Sequence, residues 1–142
     1  MSKPGSCCEK CAPWLLSVMR VAIAVLIMCH GGQKLFGYPA SHSGTVPFFS
    51  WPAGISGMLE LFGGLFILLG LFTRLVAFLL SGEMAVAYFM VHASQAFWPI
   101  HNKGELAVVY CFVFFYLSAA GAGPLSLDHF RNRSAAPPPP GA

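Results

Sequence analysis

The sequence predicts an all-α protein embedded in a membrane as a bundle of four transmembrane helices. Three observations carry that prediction. Four apolar stretches approach the roughly 20 helical residues that cross a bilayer. Hydrophobic residues make up 56% of the 142-residue chain and charged residues 9%, whereas a soluble domain carries roughly 25% charged residues. So little charge cannot clothe a globular surface in water. Finally, Trp14, Trp51 and Trp98 fall at span ends, as an aromatic interface belt requires. The net charge of +3 is too small and scattered for a nucleic-acid-binding surface and reads instead as topology information.

The spans are placed at residues 14–35, 52–72, 75–98 and 105–123. The first is retained as a span rather than a cleaved signal, because Arg20 interrupts its apolar run and no small-x-small cleavage site follows. Gly37, Pro39, Gly44 and Pro47 punctuate the connection to the second span. Thr73 and Arg74 alone join the second and third, which predicts a tight antiparallel hairpin. Pro99 and Gly104 precede the fourth. This divides the chain into a cysteine-bearing cytoplasmic tail (1–13), a four-helix membrane domain (14–129) and a disordered proline-rich tail (130–142). The tail offers nothing to bury.

Orientation follows from the cations. Lys3, Lys10, Arg74, Arg131 and Arg133 flank one side, and only Lys34 and Lys103 the other. The positive-inside rule then puts both termini in the cytoplasm of a multi-pass protein of the cell inner membrane.

A charge at the bilayer centre costs upwards of about 2.5 kcal/mol, so every intramembrane ionisable group needs a partner or a use. Arg20 is expected about 9 Å and Glu83 about 13 Å from the cytoplasmic end at 1.5 Å per residue, close enough in depth to pair, with Glu60 roughly 12 Å from the outer face. Two carboxyls against one arginine form an unbalanced set, which makes Arg20, Glu60 and Glu83 candidates for proton relay or ligand binding. On the second span Ser56, Glu60 and Gly64 form an i, i+4 ridge with Ala53 and Gly57 beside it, so Glu60 should face the bundle interior. His92 lies nine residues from Glu83 and should face elsewhere on an ideal helix.

A second group is expected at the outer end: His30 and Lys34 one helical turn apart, His92 at similar depth, and Glu105 opening the fourth span, with His101 and Lys103 nearby. Such a mouth could hold a quinone, whose carbonyls need hydrogen-bond donors beside an apolar slot. In the bland alternative Glu105 is a helix N-terminal anion and His30 satisfies a backbone carbonyl. A bis-histidine haem on His30 and His92, or a copper or zinc site drawing on His101 and Glu105 as well, is disfavoured because each span offers one such histidine; no metal site is assigned. Cys8 and Cys11 form a CxxC beside Cys7 without a second half, leaving a site shared across a dimer, a thiol contact with a soluble partner or a plain juxtamembrane tail.

The run Arg20 … His30-Gly31-Gly32-Gln33-Lys34-Leu35-Phe36-Gly37, then Glu60-x-x-Gly63-Gly64, Gly70-Leu71-x-Thr73-Arg74, Glu83 through His92, Gly104-Glu105-Leu106-Ala107 and Gly121-x-Gly123-Pro124-x-Ser126-Leu127-Asp128 resembles the DoxX family of four-helix membrane proteins over residues 15–129. The resemblance implies a subunit associated with quinol oxidase or thiosulfate:quinone oxidoreductase. The matching polar positions are Arg20, Lys34, Glu60, His92 and Glu105, and Glu83 is a subgroup feature. Similar four-helix proteins also serve as maturation factors and as chaperones or cargo receptors, so fold alone does not select the activity.

Two functions are therefore expected to compete. One is a quinone-linked redox subunit, not catalytic by itself because no haem, flavin or iron–sulfur motif is present, which needs a redox partner. The other is a non-enzymatic assembly subunit that binds partner proteins. A small-solute permease is disfavoured, since four helices without an internal repeat would have to form a homo-oligomer to alternate access.

Overall fold

The computed structural model describes residues 7–40 and 44–135; among them every regular element is helical. In chain order these are α1 (Cys7–Phe36), α2 (Ala53–Leu69), α3 (Thr73–His92), α4 (Pro99–Asn102), α5 (Glu105–Ala120) and α6 (Leu127–Ala135). The four longest pack side by side, α1 along α2 and α3 along α5, with α2 also touching α3. Each supplies part of one core: Ala24 and Ile27, Ile67, Ala77 with Leu80 and Met84, and Tyr110 with Phe114 and Leu117.

The outer surface has the opposite character to that of a soluble bundle. Val18, Leu26, Leu69, Leu79, Val86, Phe112 and Phe115 are exposed on it, as are Trp14, Trp51 and Trp98. An apolar exterior on this scale requires lipid. Residues Glu9–Phe36 and Thr73–His92 are long and apolar enough to cross a membrane, while Ala53–Leu69 and Glu105–Ala120 are shorter apolar helices, about 26 and 24 Å long. The chain is thus a membrane-embedded helical bundle. Lipid tails are as apolar as the core, so close backbone approach rather than exclusion of water binds the helices. The small-residue ridge makes that contact: a Cβ at Gly31 would lie 2.6 Å from the Leu61 amide nitrogen, and one at Gly64 would lie 2.5 Å from Met28 Cγ.

Several boundaries differ from expectation. α1 begins at Cys7, inside the expected tail, and α6 carries helix to Ala135, past residue 130 where disorder was expected. The side chains of Cys7 and Cys8 and the proline run lie outside the described residues. The α2–α3 connection is residues 70–72, three residues earlier than expected. Gly70 ends α2 at φ 66°, a left-handed conformation that glycine adopts without steric cost. Asp128, from the far end of the sequence, caps α3: its two carboxylate oxygens accept the Phe72 and Thr73 amides, each at 2.9 Å. The third helix stops at His92 rather than running to Trp98. Trp98 precedes Pro99 and is extended (φ −81°, ψ 127°), a conformation the following proline imposes.

Two stretches are π-helical, Leu59–Gly63 and Tyr88–His92. Such wide turns interrupt α-helices mostly at functional positions, and here one carries Glu60 and the other His92.

Candidate functional site

Arg20 is the largest fully buried side chain, 1% exposed. It does not form the expected pair with Glu83 and takes no part in a carboxylate group. Its guanidinium donates to four main-chain carbonyls: Ala122 O at 2.9 Å, Leu68 O at 2.6 Å, Ile67 O and Leu125 O. Ile67 and Leu68 end α2, and Ala122 and Leu125 follow α5. The last carbonyls of a helix lack intrahelical donors and carry the negative end of its dipole. A planar fork with five N–H groups satisfies several of them at once. The partner that depth arithmetic sought among acids is thus supplied by the C-terminal end of α2 and by the loop that follows α5.

The carboxylates meet a different cation. Lys34 Nζ donates to Glu60 Oε1 and to Ser56 Oγ, both at 2.7 Å, and Ser56 Oγ donates to Glu83 Oε1 at 2.6 Å. Lys34 belongs to the expected outer group by its backbone position. Its four-carbon stem lets the ammonium reach a different depth from its Cα. Glu60 is 3% exposed, as its small-residue ridge predicts. The second carboxylate oxygens, Glu60 Oε2 and Glu83 Oε2, are both buried without a hydrogen-bond partner. Two carboxyl groups facing one ammonium are neutral together only if they share one proton, and buried charge without compensation is costly.

Glu83 and Lys34 open onto a cleft of about 540 Å³ between α2 and α3. Its walls are Leu59, Leu79, Val86 and Met90, all exposed at the apolar surface, with Ser56 and His92 contributing polar groups. His92 therefore shares a face with Glu83 after all, since the π-turn at Tyr88–His92 falls behind the 3.6-residue register that placed it opposite. Its Nδ1 lies 3.0 Å from the Asn102 carbonyl oxygen. A carbonyl only accepts, so Nδ1 carries a proton, and in a neutral ring Nε2 is then the acceptor. Asn102, itself 1% exposed, is held by Ala96 O at 2.6 Å and by the Gly104 amide at 2.8 Å.

The remaining members of the expected outer group are elsewhere. His30 meets Tyr110 of α5 edge-on at 5.9 Å between ring centroids and does not line the cleft. Glu105 is exposed in the first turn of α5, where the helix dipole favours an anion. The outer quartet is therefore replaced by Lys34, Ser56, Glu60 and Glu83, with His92 at the same cleft. Among the described residues no three metal-ligating side chains come together.

The sequence profile of the DoxX family matches residues 15–93, more than half of the chain. The chain belongs to the DoxX family. That match contains Arg20, Lys34, Ser56, Glu60, Glu83 and His92, so the whole Lys–Ser–Glu cluster lies within the DoxX segment, together with Arg20 and its acceptors on Ile67 and Leu68, while Ala122 and Leu125 lie beyond it. An uncharacterized protein of Haemophilus influenzae is 39% identical over 125 residues, which cover 85% of this chain and 93% of that protein. No solved structure matches the chain.

Ser56 and Asp128 escaped the sequence reading as functional polar residues. Ser56 was visible one turn before Glu60, yet it counted only as a small packing residue. Asp128 follows an acceptor-rich turn, and nothing local to it shows that its partners are 55 residues away.

Proposed function

We propose that this DoxX protein binds the head group of a quinol-type amphiphile in the α2–α3 cleft and takes part in its oxidation as the proton-accepting subunit. One observation carries the reading: a buried carboxylate oxygen, Glu83 Oε2, has no partner and sits at an apolar cleft that opens on lipid-facing residues. A hydroxyl on a hydrophobic body would satisfy that acceptor and fill the slot, and a quinol has both features. The polar set matches the redox pair as well. Lys34 has a third N–H beyond those given to Ser56 and Glu60, suited to a quinone carbonyl.

Oxidation releases two protons and two electrons. Glu83 and His92 Nε2 are the acceptors at the cleft for the protons, and Ser56 links Glu83 to the Lys34–Glu60 pair as a relay. The electrons go to a haem- or iron–sulfur-bearing partner subunit. The chain is read as crossing the inner membrane four times with both termini cytoplasmic, supported by Arg74, Arg131 and Arg133 lying at the end of the bundle where the first residues of α1 meet α6.

The test is purification in mild detergent followed by solvent extraction and chromatography of bound quinone. Wild type should carry quinone, and Glu83→Leu, which keeps the bulk but removes the acceptor, should lose most of it. An empty cleft in wild type, with another polypeptide co-purifying, would overturn this reading in favour of an assembly subunit.

A further inference from the structure

A second and larger cavity, about 780 Å³, opens at the other end of the bundle, where α1 begins, α3 begins and α5 runs into α6. Its walls divide into two chemistries. Leu75 and Tyr116, 62% and 58% exposed, belong to the apolar lipid-facing surface. Arg74, His129 and Asn132 form a polar wall at the membrane edge. Arg74 donates to Ala119 O at 2.6 Å, which leaves most of its five N–H groups available.

The surroundings are cationic. Arg131 lies over the Phe72 ring, 5.1 Å from its centroid, and Arg133 follows on the same short helix. Asp128 is the carboxylate in the cavity wall, and its oxygens are taken up by the Phe72 and Thr73 amides. An arginine beside an apolar groove at the membrane edge, with a further pair of arginines close by, matches one kind of ligand: a molecule with a phosphodiester anion at one end and an acyl chain at the other.

We propose that this cavity is a binding site for an anionic phospholipid, its phosphate on Arg74 with His129 and Asn132, and one acyl chain along Leu75 and Tyr116. The bound lipid would tie α3, α5 and α6 together where Arg20 and Asp128 already fasten the same loops. The site is separate from the α2–α3 cleft and does not depend on quinol binding there.

The experiment is native mass spectrometry and thermal unfolding of the full-length protein in mild detergent, titrated with phosphatidylglycerol, with phosphatidylcholine, or with inorganic phosphate. Phosphatidylglycerol should remain bound and raise the unfolding midpoint, whereas phosphatidylcholine should bind at least about tenfold more weakly, as expected when net anionic charge meets arginine. Arg74→Gln should abolish the preference. Since Arg74 also caps Ala119, Tyr116→Ala is the second variant: it makes no cap and should weaken phosphatidylglycerol while leaving the lipid-free unfolding midpoint in place. Equal binding of both lipids, full retention of phosphatidylglycerol by a folded Arg74→Gln protein, or a shift by inorganic phosphate equal to that by the lipid would each overturn the proposal.

Discussion

Replacing Arg20 by methionine separates a structural clasp from a catalytic charge. The substitution keeps the unbranched stem and removes all four donations to Ile67, Leu68, Ala122 and Leu125. In water each hydrogen bond to a charged group is worth about 1.5–3 kcal/mol. Inside a membrane the unfolded helices find partners too, and measured interhelical bonds average about 0.6 kcal/mol with a maximum near 1.7. Four bonds on that lower scale amount to about 2–7 kcal/mol, and the orphaned carbonyls place the outcome toward the upper half. Arg20→Lys retains the charge but offers a point ammonium in place of a fork, so it should recover only part of the loss. Reversible unfolding in mixed micelles, titrated with a denaturing detergent, measures both variants. A methionine variant within about 0.5 kcal/mol of wild type, or one that loses quinol binding at unchanged stability, would refute the clasp and return Arg20 to the chemistry.

Further perturbations address other parts of the molecule. Gly31→Ala forces a Cβ against the Leu61 amide and the Gly57 carbonyl at 2.6 and 2.7 Å, both backbone, and should destabilise the protein by about 1–3 kcal/mol in the same unfolding assay. Lys34→Met leaves Glu60 and Glu83 without their cation and should destabilise the bundle more than Lys34→Met combined with Glu60→Gln, a double-mutant cycle that reads their coupling. Asp128 gives a pH signature. Burial raises its carboxyl pKa, but the Thr73 and Phe72 amides and the nearby Arg131 outweigh that and hold it below the ordinary carboxylate value. Its contribution is therefore present above the usual carboxylate range and fades as pH falls through the lowered folded value; Asp128→Asn should flatten that acid limb of the stability profile.

Much of the fold was legible because composition and span length are coarse signals. Four apolar runs with interfacial tryptophans specify a helical membrane bundle, and the Ser56–Glu60–Gly64 spacing placed Glu60 inward correctly. What composition could not show was where long side chains end. Depths assigned to Cα atoms paired Arg20 with Glu83 and put Lys34 with the outer histidines, yet each cation reaches beyond its own turn, Arg20 to carbonyls at the end of α2 and in the loop after α5, and Lys34 to Glu60 and, through Ser56, to Glu83. The π-turn at Tyr88–His92 defeated the ideal-helix argument for His92, since nothing in a run of apolar residues announces a wider turn. His30 and Glu105 matched in depth but not in face, because span order alone does not say which helices are neighbours.

The proposed function places a quinol-type amphiphile against Glu83 in the α2–α3 cleft. Photolabelling of membranes containing the full-length protein with a photoreactive quinone analogue, followed by peptide mass spectrometry, tests that placement. Label is expected on α2 and α3 at cleft residues such as Leu59, Val86 and Met90, suppressed by excess unlabelled quinol and reduced in Glu83→Leu. Label spread evenly over the lipid-facing helices, or unchanged by competitor and by the Glu83 substitution, would contradict it.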